Sequence, residues 1–160
     1  MSSKAQAALA IFQRHVGKEE GVGEWHTVDQ KQIDQFADAT LDHQFIHVDP
    51  VKSAELSPYK VTIAHGFLTL SLVVHLGKTI PIVDPAAYSG VIMGVNYGLD
   101  RVRFPAPVKV NSRVRGRRDL VSAELAAPNT IQLKQRMTVE IEGEPKPGCV
   151  AETLTRLVYA

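Results

Sequence analysis

"IAHGFLTLSLVVHLGKTI", residues 63–80, is the most hydrophobic stretch of the chain. Its apolar residues go almost all the way round a helical wheel. A helix of that kind is wrapped by other structure rather than laid on a surface, and we place a buried central helix over 63–78. The pattern then changes. "GVIMGVNYGLDRVRF" (90–104), "SRVRGRRDLVSAELA" (112–126), "TIQLKQRMTVEIEG" (130–143) and "GCVAETLTRLVYA" (148–160) alternate with a period near two. In the third, Ile131, Leu133, Met137, Val139 and Ile141 all share the odd face, as a strand buried on one side requires. "APN" (127–129) and "EGEPKPG" (142–148) carry turn chemistry between strands. Helices early and long strands late predict an α+β protein with an antiparallel sheet, curled around the central helix. Such a sheet leaves an edge, and pairing with a second copy is a common way to cover one. A homodimer is therefore expected.

Upstream, residues 4–16 predict a helix within an N-terminal segment 1–17. Ala8, Ile11, Phe12 and His15 share a face, and Gly17 can end it. "GEWHTV" (23–28) reads as a short strand. Asp29 is placed to cap a helix over 30–39 with Ile33, Phe36 and Ala37 on one side. A helical turn follows from Pro50 to Leu56, then the loop "SPYK". With 160 residues, 44% hydrophobic and 22% charged, the chain suits one globular domain over 1–160. A net charge of +1 argues against a general nucleic-acid binder. The N-terminal apolar run is too short and too interrupted for a membrane span. Cys149 is the only cysteine, so no intrachain disulfide can form. We read a cytoplasmic setting.

Three features bear on chemistry. The first is "TLDHQFIHVDP" (40–50), with two aspartates and two histidines. Asp42 and His47, five apart in a loop, can meet over one water and take its proton, because an imidazole beside a carboxylate is tuned near neutral pH. Two other readings stay open: solvated turn residues, with Asp42 as a cap, or a metal held by His43, His47 and Asp49. The second is "AHGF" (64–67). The first amides of a helix lack intrahelical partners, so Gly66 can offer an N–H to an oxygen that becomes anionic during reaction. Tight packing at the helix start would equally select glycine there, and His65 alone reads as a hydrogen-bonded structural histidine. The third is "RVRFPAPVKVNSRVRGRR" (101–118), with six arginines, one lysine and no acid. Arg103 and its neighbours could receive the phosphates of a nucleotide-bearing acyl carrier, or the stripe is a solvated outer face.

"FADATLDHQFIHVDP" (36–50) followed by "TIAHGFLTLSL" (62–72), with "NYGLDRVRFPAPVKVNSRVR" (96–115), resembles the MaoC-type, R-specific enoyl-CoA hydratases. The resemblance is strongest to the branch containing the nodulation protein NodN and 3-hydroxyacyl-thioester dehydratases. It implies a hotdog fold dimerising edge to edge. The family motif Gly-Asp-x-Asn-Pro-x-His puts its catalytic aspartate on Asp42 and its histidine on His47. Gly66 falls on the oxyanion donor. The implied substrate is an enoyl or 3-hydroxyacyl thioester, with no metal and no redox cofactor, because the thioester itself acidifies C2. Gln44 would hold the water or the loop, and Phe67 and Leu70 would line an acyl channel. The chain departs from the motif at Leu41 (glycine in the family), Gln44 and Phe45. Leu41 matters most, since glycine permits a backbone geometry that leucine resists. The implied rivals are a hotdog thioesterase and a non-catalytic acyl-thioester-binding protein.

Overall fold

The computed structural model describes residues 3–160, so the first two residues of the expected N-terminal segment lie outside the described residues. Helix α1 (Lys4–Gln13) opens with a capping box. The Ser3 hydroxyl accepts from the Gln6 amide, and the Gln6 side chain accepts from the Ser3 amide. It stops three residues short of the predicted end, in a turn closed by Gly17 at φ 81°. The elements that follow are β1 (Glu19–Val22), β2 (His26–Val28), α2 (Gln30–Thr40), α3 (Phe45–Val48), α4 (Pro50–Leu56), α5 (Gly66–Ser71) and α6 (Val73–Lys78). A 3-10 turn (Pro85–Tyr88) leads to β3 (Val91–Arg103), β4 (Ser112–Ala127), β5 (Thr130–Ile141) and β6 (Cys149–Tyr159).

All six strands form one antiparallel sheet in the order β1-β4-β5-β6-β3, with β2 also pairing with β4. The alternation read in 130–141 is realised: Ile131, Leu133, Met137, Val139 and Ile141 are all buried. The sheet packs that face on α5 and α6, where Leu68, Leu72 and Leu76 meet Val114, Val139, Cys149 and Ala151. A second cluster sets Ala5, Ala8 and Phe12 of α1 against Leu120, Ile131 and Leu157. This is the hotdog arrangement. Behind α6, Arg118 pairs with Glu20 at 2.8 Å and donates to the Gly77 carbonyl, while Gln135 donates to the same glutamate. The ion pair is largely buried. Among the described residues, no helix is long and apolar enough to cross a membrane.

The central helix differs from expectation in two ways. It begins at Gly66, not 63, because residues 62–64 are held extended: the amides of Ile63 and Ala64 donate to the carbonyls of Ile46 and Val108, and the Thr62 carbonyl, the first acceptor a helix from 63 would need, accepts from Val110. Those residues are extended, and Ile63 bridges Lys109. The helix also loosens at Leu72 between α5 and α6. Nor is it buried all round: Leu68, Leu72 and Leu76 face the sheet and Thr69 is buried, whereas Phe67, Ser71 and Val74 are exposed. That apolar exposure continues onto β3, an edge strand, through Ile92, Val95, Tyr97 and Leu99.

Candidate active site

The site is assembled where the end of α2, the turn of α3 and the start of α5 converge. Helix α2 begins at Asp29, whose carboxylate accepts from the Gln32 amide, and ends at Leu41 in the left-handed region, φ 64° and ψ 20°. The glycine-like geometry in question at Leu41 is thus adopted by leucine itself. The side chain stays 82% exposed, so nothing packs on it to fix its conformation. The left-handed residue turns the chain sharply and delivers Asp42 to the surface. The polar stretch after it is not all loop, because α3 winds Phe45–Val48 into one turn. Ser53 and Asp49 fasten that turn to α4: the Ser53 hydroxyl donates to the Phe45 carbonyl, and Asp49 caps α4 by accepting from Lys52.

His47 lies inward, 6% exposed. Its Nδ1 is 2.7 Å from the Ile63 carbonyl. A carbonyl can only accept, so Nδ1 carries the proton and Nε2 keeps a free lone pair. Gln30 donates to the His47 carbonyl and accepts from the Thr62 hydroxyl, which ties α2, α3 and the strand-like segment before α5 together. His65, directly before α5, donates from Nε2 to the Asp42 main-chain carbonyl at 2.9 Å. Its ring stacks on His47 with centroids 3.8 Å apart and planes 23° from parallel. One oxygen of Asp42 and one nitrogen of each histidine lie within 4.8 Å of one another, the span of a water hydrogen-bonded to two partners. Burial holds His47 below the ordinary histidine range. The bond to Ile63 opposes that, His65 adds to it, and the nearby Asp42 carboxylate offsets part of it. The imidazole is therefore neutral at neutral pH, the state of a proton acceptor.

Gly66 opens α5, so its amide has no intrahelical acceptor. A Cβ there would come within 3.2 Å of the Phe104 ring, so close packing also accounts for glycine at this position. Phe67 is 69% exposed and meets Phe104 edge-on, giving the helix start an apolar lip. Leu70 sits half-buried one turn on, against the core. Gln44 is exposed at the start of α3, its amide 3.4 Å from the Asp42 carboxylate, and its side chain makes no cap. Arg103 is exposed beside Phe104 and bonds the Val102 carbonyl.

The metal reading with His43, His47 and Asp49 is overturned. His43 turns outward to Asp38 at 2.8 Å, and Asp49 is occupied as a cap. The convergent set is Asp42, His47 and His65, which sequence reasoning missed because His65 lies 23 residues from Asp42. The AHG motif holding it was the one available signal. That set also suits a metal poorly. Imidazole lone pairs lie in the ring plane, and two nearly parallel stacked rings cannot aim them at one ion. Within the arginine stripe, Arg113, Arg115 and Arg117 lie on the outer side of the sheet in ion pairs: Arg113 pairs with Glu142, and Arg115 and Arg117 share Glu140, Arg117 reaching Glu19 as well. Arg113 and Arg115 also lie over the Trp25 ring.

Comparisons with known proteins agree with this architecture. The chain is 47% identical over 151 residues to 3-hydroxyacyl-thioester dehydratase Z of Mycobacterium tuberculosis, covering 94% of this chain and 96% of the relative. It is 46% identical over 160 residues to nodulation protein N of Rhizobium leguminosarum bv. viciae, covering 96% and 93%. Among solved structures, the fold matches an R-hydratase from Pseudomonas aeruginosa (TM-score 0.66, 20% identity, 91% and 83% covered). It also matches a MaoC-like dehydratase from Rhodospirillum rubrum (TM-score 0.69, 17% identity, 91% and 93% covered). The MaoC-like domain profile matches residues 11–141. With the profile spanning most of its length and two relatives close to half identical end to end, the chain belongs to the MaoC-like domain family.

Proposed function

We propose that this chain is a hydro-lyase acting on acyl thioesters: it adds water reversibly across a trans-2-enoyl thioester to give a 3-hydroxyacyl thioester, with R configuration. The observation that carries the reading is a ring nitrogen of the inward-facing His47, whose Nδ1 is held by the Ile63 carbonyl, within water-bridging reach of the Asp42 carboxylate. The relative named 3-hydroxyacyl-thioester dehydratase Z supports the same substrate class. One water held by Asp42 and His47 gives its proton to His47 Nε2 as its oxygen bonds to C3. The C2–C3 π pair moves toward the thioester, leaving an enolate oxygen. Gly66, next in the chain to the histidine that touches both groups, offers its amide to that oxygen. Losing one such donor costs about 3–4 kcal/mol of transition-state stabilisation. The proton then passes from the imidazolium to C2, which restores the base. The acyl chain lies along Phe67 and Leu70, Gln44 steadies the loop, and Arg103 faces the carrier's phosphates.

The active species is a homodimer in the cytoplasm. β3 is a 13-residue edge strand with an apolar exposed face continuous with Phe67 and Val74, a surface suited to a second copy. Asp42→Asn and His47→Gln should each lower crotonyl-CoA hydration by about two orders of magnitude or more while the protein stays folded. Near-wild-type turnover in either variant removes the mechanism. Thiol release without loss of enoyl absorbance would mark a thioesterase, and binding without turnover an inert acyl-thioester binder.

A further inference from the structure

His65 is the least explained group in the site. It is 3% exposed and wedged between Phe36, 4.9 Å away at 54°, and the stacked ring of His47. Its Nε2 proton is spent on the Asp42 carbonyl. That leaves Nδ1 unprotonated, buried and without a hydrogen-bond partner. An unpaired buried acceptor is costly, and a histidine here without other use would be replaced by an apolar ring at no loss of packing. What an apolar ring cannot do is hold the main chain of Asp42.

We infer that His65 is a positioning residue joining the two proton-handling groups: its ring fixes the plane of His47 and shields it from water, and its Nε2–H fixes the backbone that carries Asp42. This rests on the roles proposed for Asp42 and His47. The same ring touches both groups, so the distance between them is set through one side chain. The groups that act on His47 are Asp42 from the loop after α2, His65 from the segment before α5, and the Ile63 carbonyl. His43 is turned away to Asp38, and Asp34 is reached only through Gln30.

Two variants separate the contributions. His65→Phe keeps the ring and loses the donor; His65→Gln keeps an amide donor and loses the stacked ring. Imidazole nitrogen NMR across pH reads tautomer and titration, and the pH profile of crotonyl-CoA kcat/KM reads the consequence. In wild type, the neutral His65 ring should be the Nε2–H tautomer. His65→Gln should move the His47 titration and the acid limb of kcat/KM upward together. His65→Phe should leave the acid limb in place but lower kcat about tenfold or more, with little change in KM. The inference is overturned if the neutral His65 ring in wild type is the Nδ1–H tautomer, or if both folded variants keep the wild-type titration and kcat. The NMR arm needs no turnover. If wild type hydrates nothing and His47 still shifts in His65→Gln, the hydratase reading fails and the positioning role stands.

Discussion

Leu41 allows a quantitative test of how the loop carrying Asp42 is built. A residue with a Cβ pays about 1–2 kcal/mol to sit in the left-handed region, and Leu41 sits there at φ 64°. Its side chain is 82% exposed, so truncation forfeits a small fraction of the ~1.5–3 kcal/mol that burying a whole leucine provides. Alanine keeps the Cβ and hence the strain. Glycine removes the strain but has a more flexible unfolded state, worth ~0.4–1 kcal/mol against it. The net expectation is that Leu41→Gly exceeds Leu41→Ala in stability by about 0.5–1 kcal/mol and is equal to wild type or slightly above it. For a chain of this size that is a rise in Tm of roughly 1–4 °C over the alanine variant. Urea denaturation with unchanged m-value measures it directly. Hydration by Leu41→Gly should stay within a few-fold of wild type, because leucine already holds the geometry glycine would adopt. If Leu41→Ala proves as stable as Leu41→Gly, the left-handed strain is not there, and the account of how Asp42 is delivered fails.

Other consequences follow from the same contacts. Because burial lowers the His47 pKa from 6.5, kcat/KM should be flat near neutrality and fall on the acid side with an inflection below 6.5. The same group makes the fold depend on pH: its contribution is fully present above the unfolded value and is lost as pH falls through the lower folded value, which urea titrations at stepped pH would show. Removing Glu20 leaves Arg118 buried beside the Gly77 carbonyl with its charge unmatched, so Glu20→Ala should cost about 3–5 kcal/mol in urea unfolding. Gly66→Ala retains the amide but pushes a Cβ within 3.2 Å of Phe104. It should destabilise by about 1–3 kcal/mol from overpacking, with KM for the thioester rising as the lip is displaced. No change in either quantity would mean the ring yields freely.

Much of the fold was legible in the chain because its signals are local. Period-two alternation located β3, β4, β5 and β6 to within a residue or two of their ends, and Asp29 marked the start of α2 by its own cap. Asp42 and His47 could be singled out because both belong to one short polar stretch. Tertiary contacts decided the rest. Strand β1 has no alternating apolar pattern of its own and exists through pairing with residues 117–119 of β4. The central helix starts at Gly66 because pairing with Ile46, Val108 and Val110 holds residues 62–64 extended, and no helical period can report a competitor so far along the chain. Its exposed face reflects a sheet that covers only one side. His65 enters the site through a stack and a hydrogen bond spanning 18 and 23 residues. Periodicity and capping are written in neighbouring residues; which lone pair faces which proton depends on segments that meet only when the chain has folded.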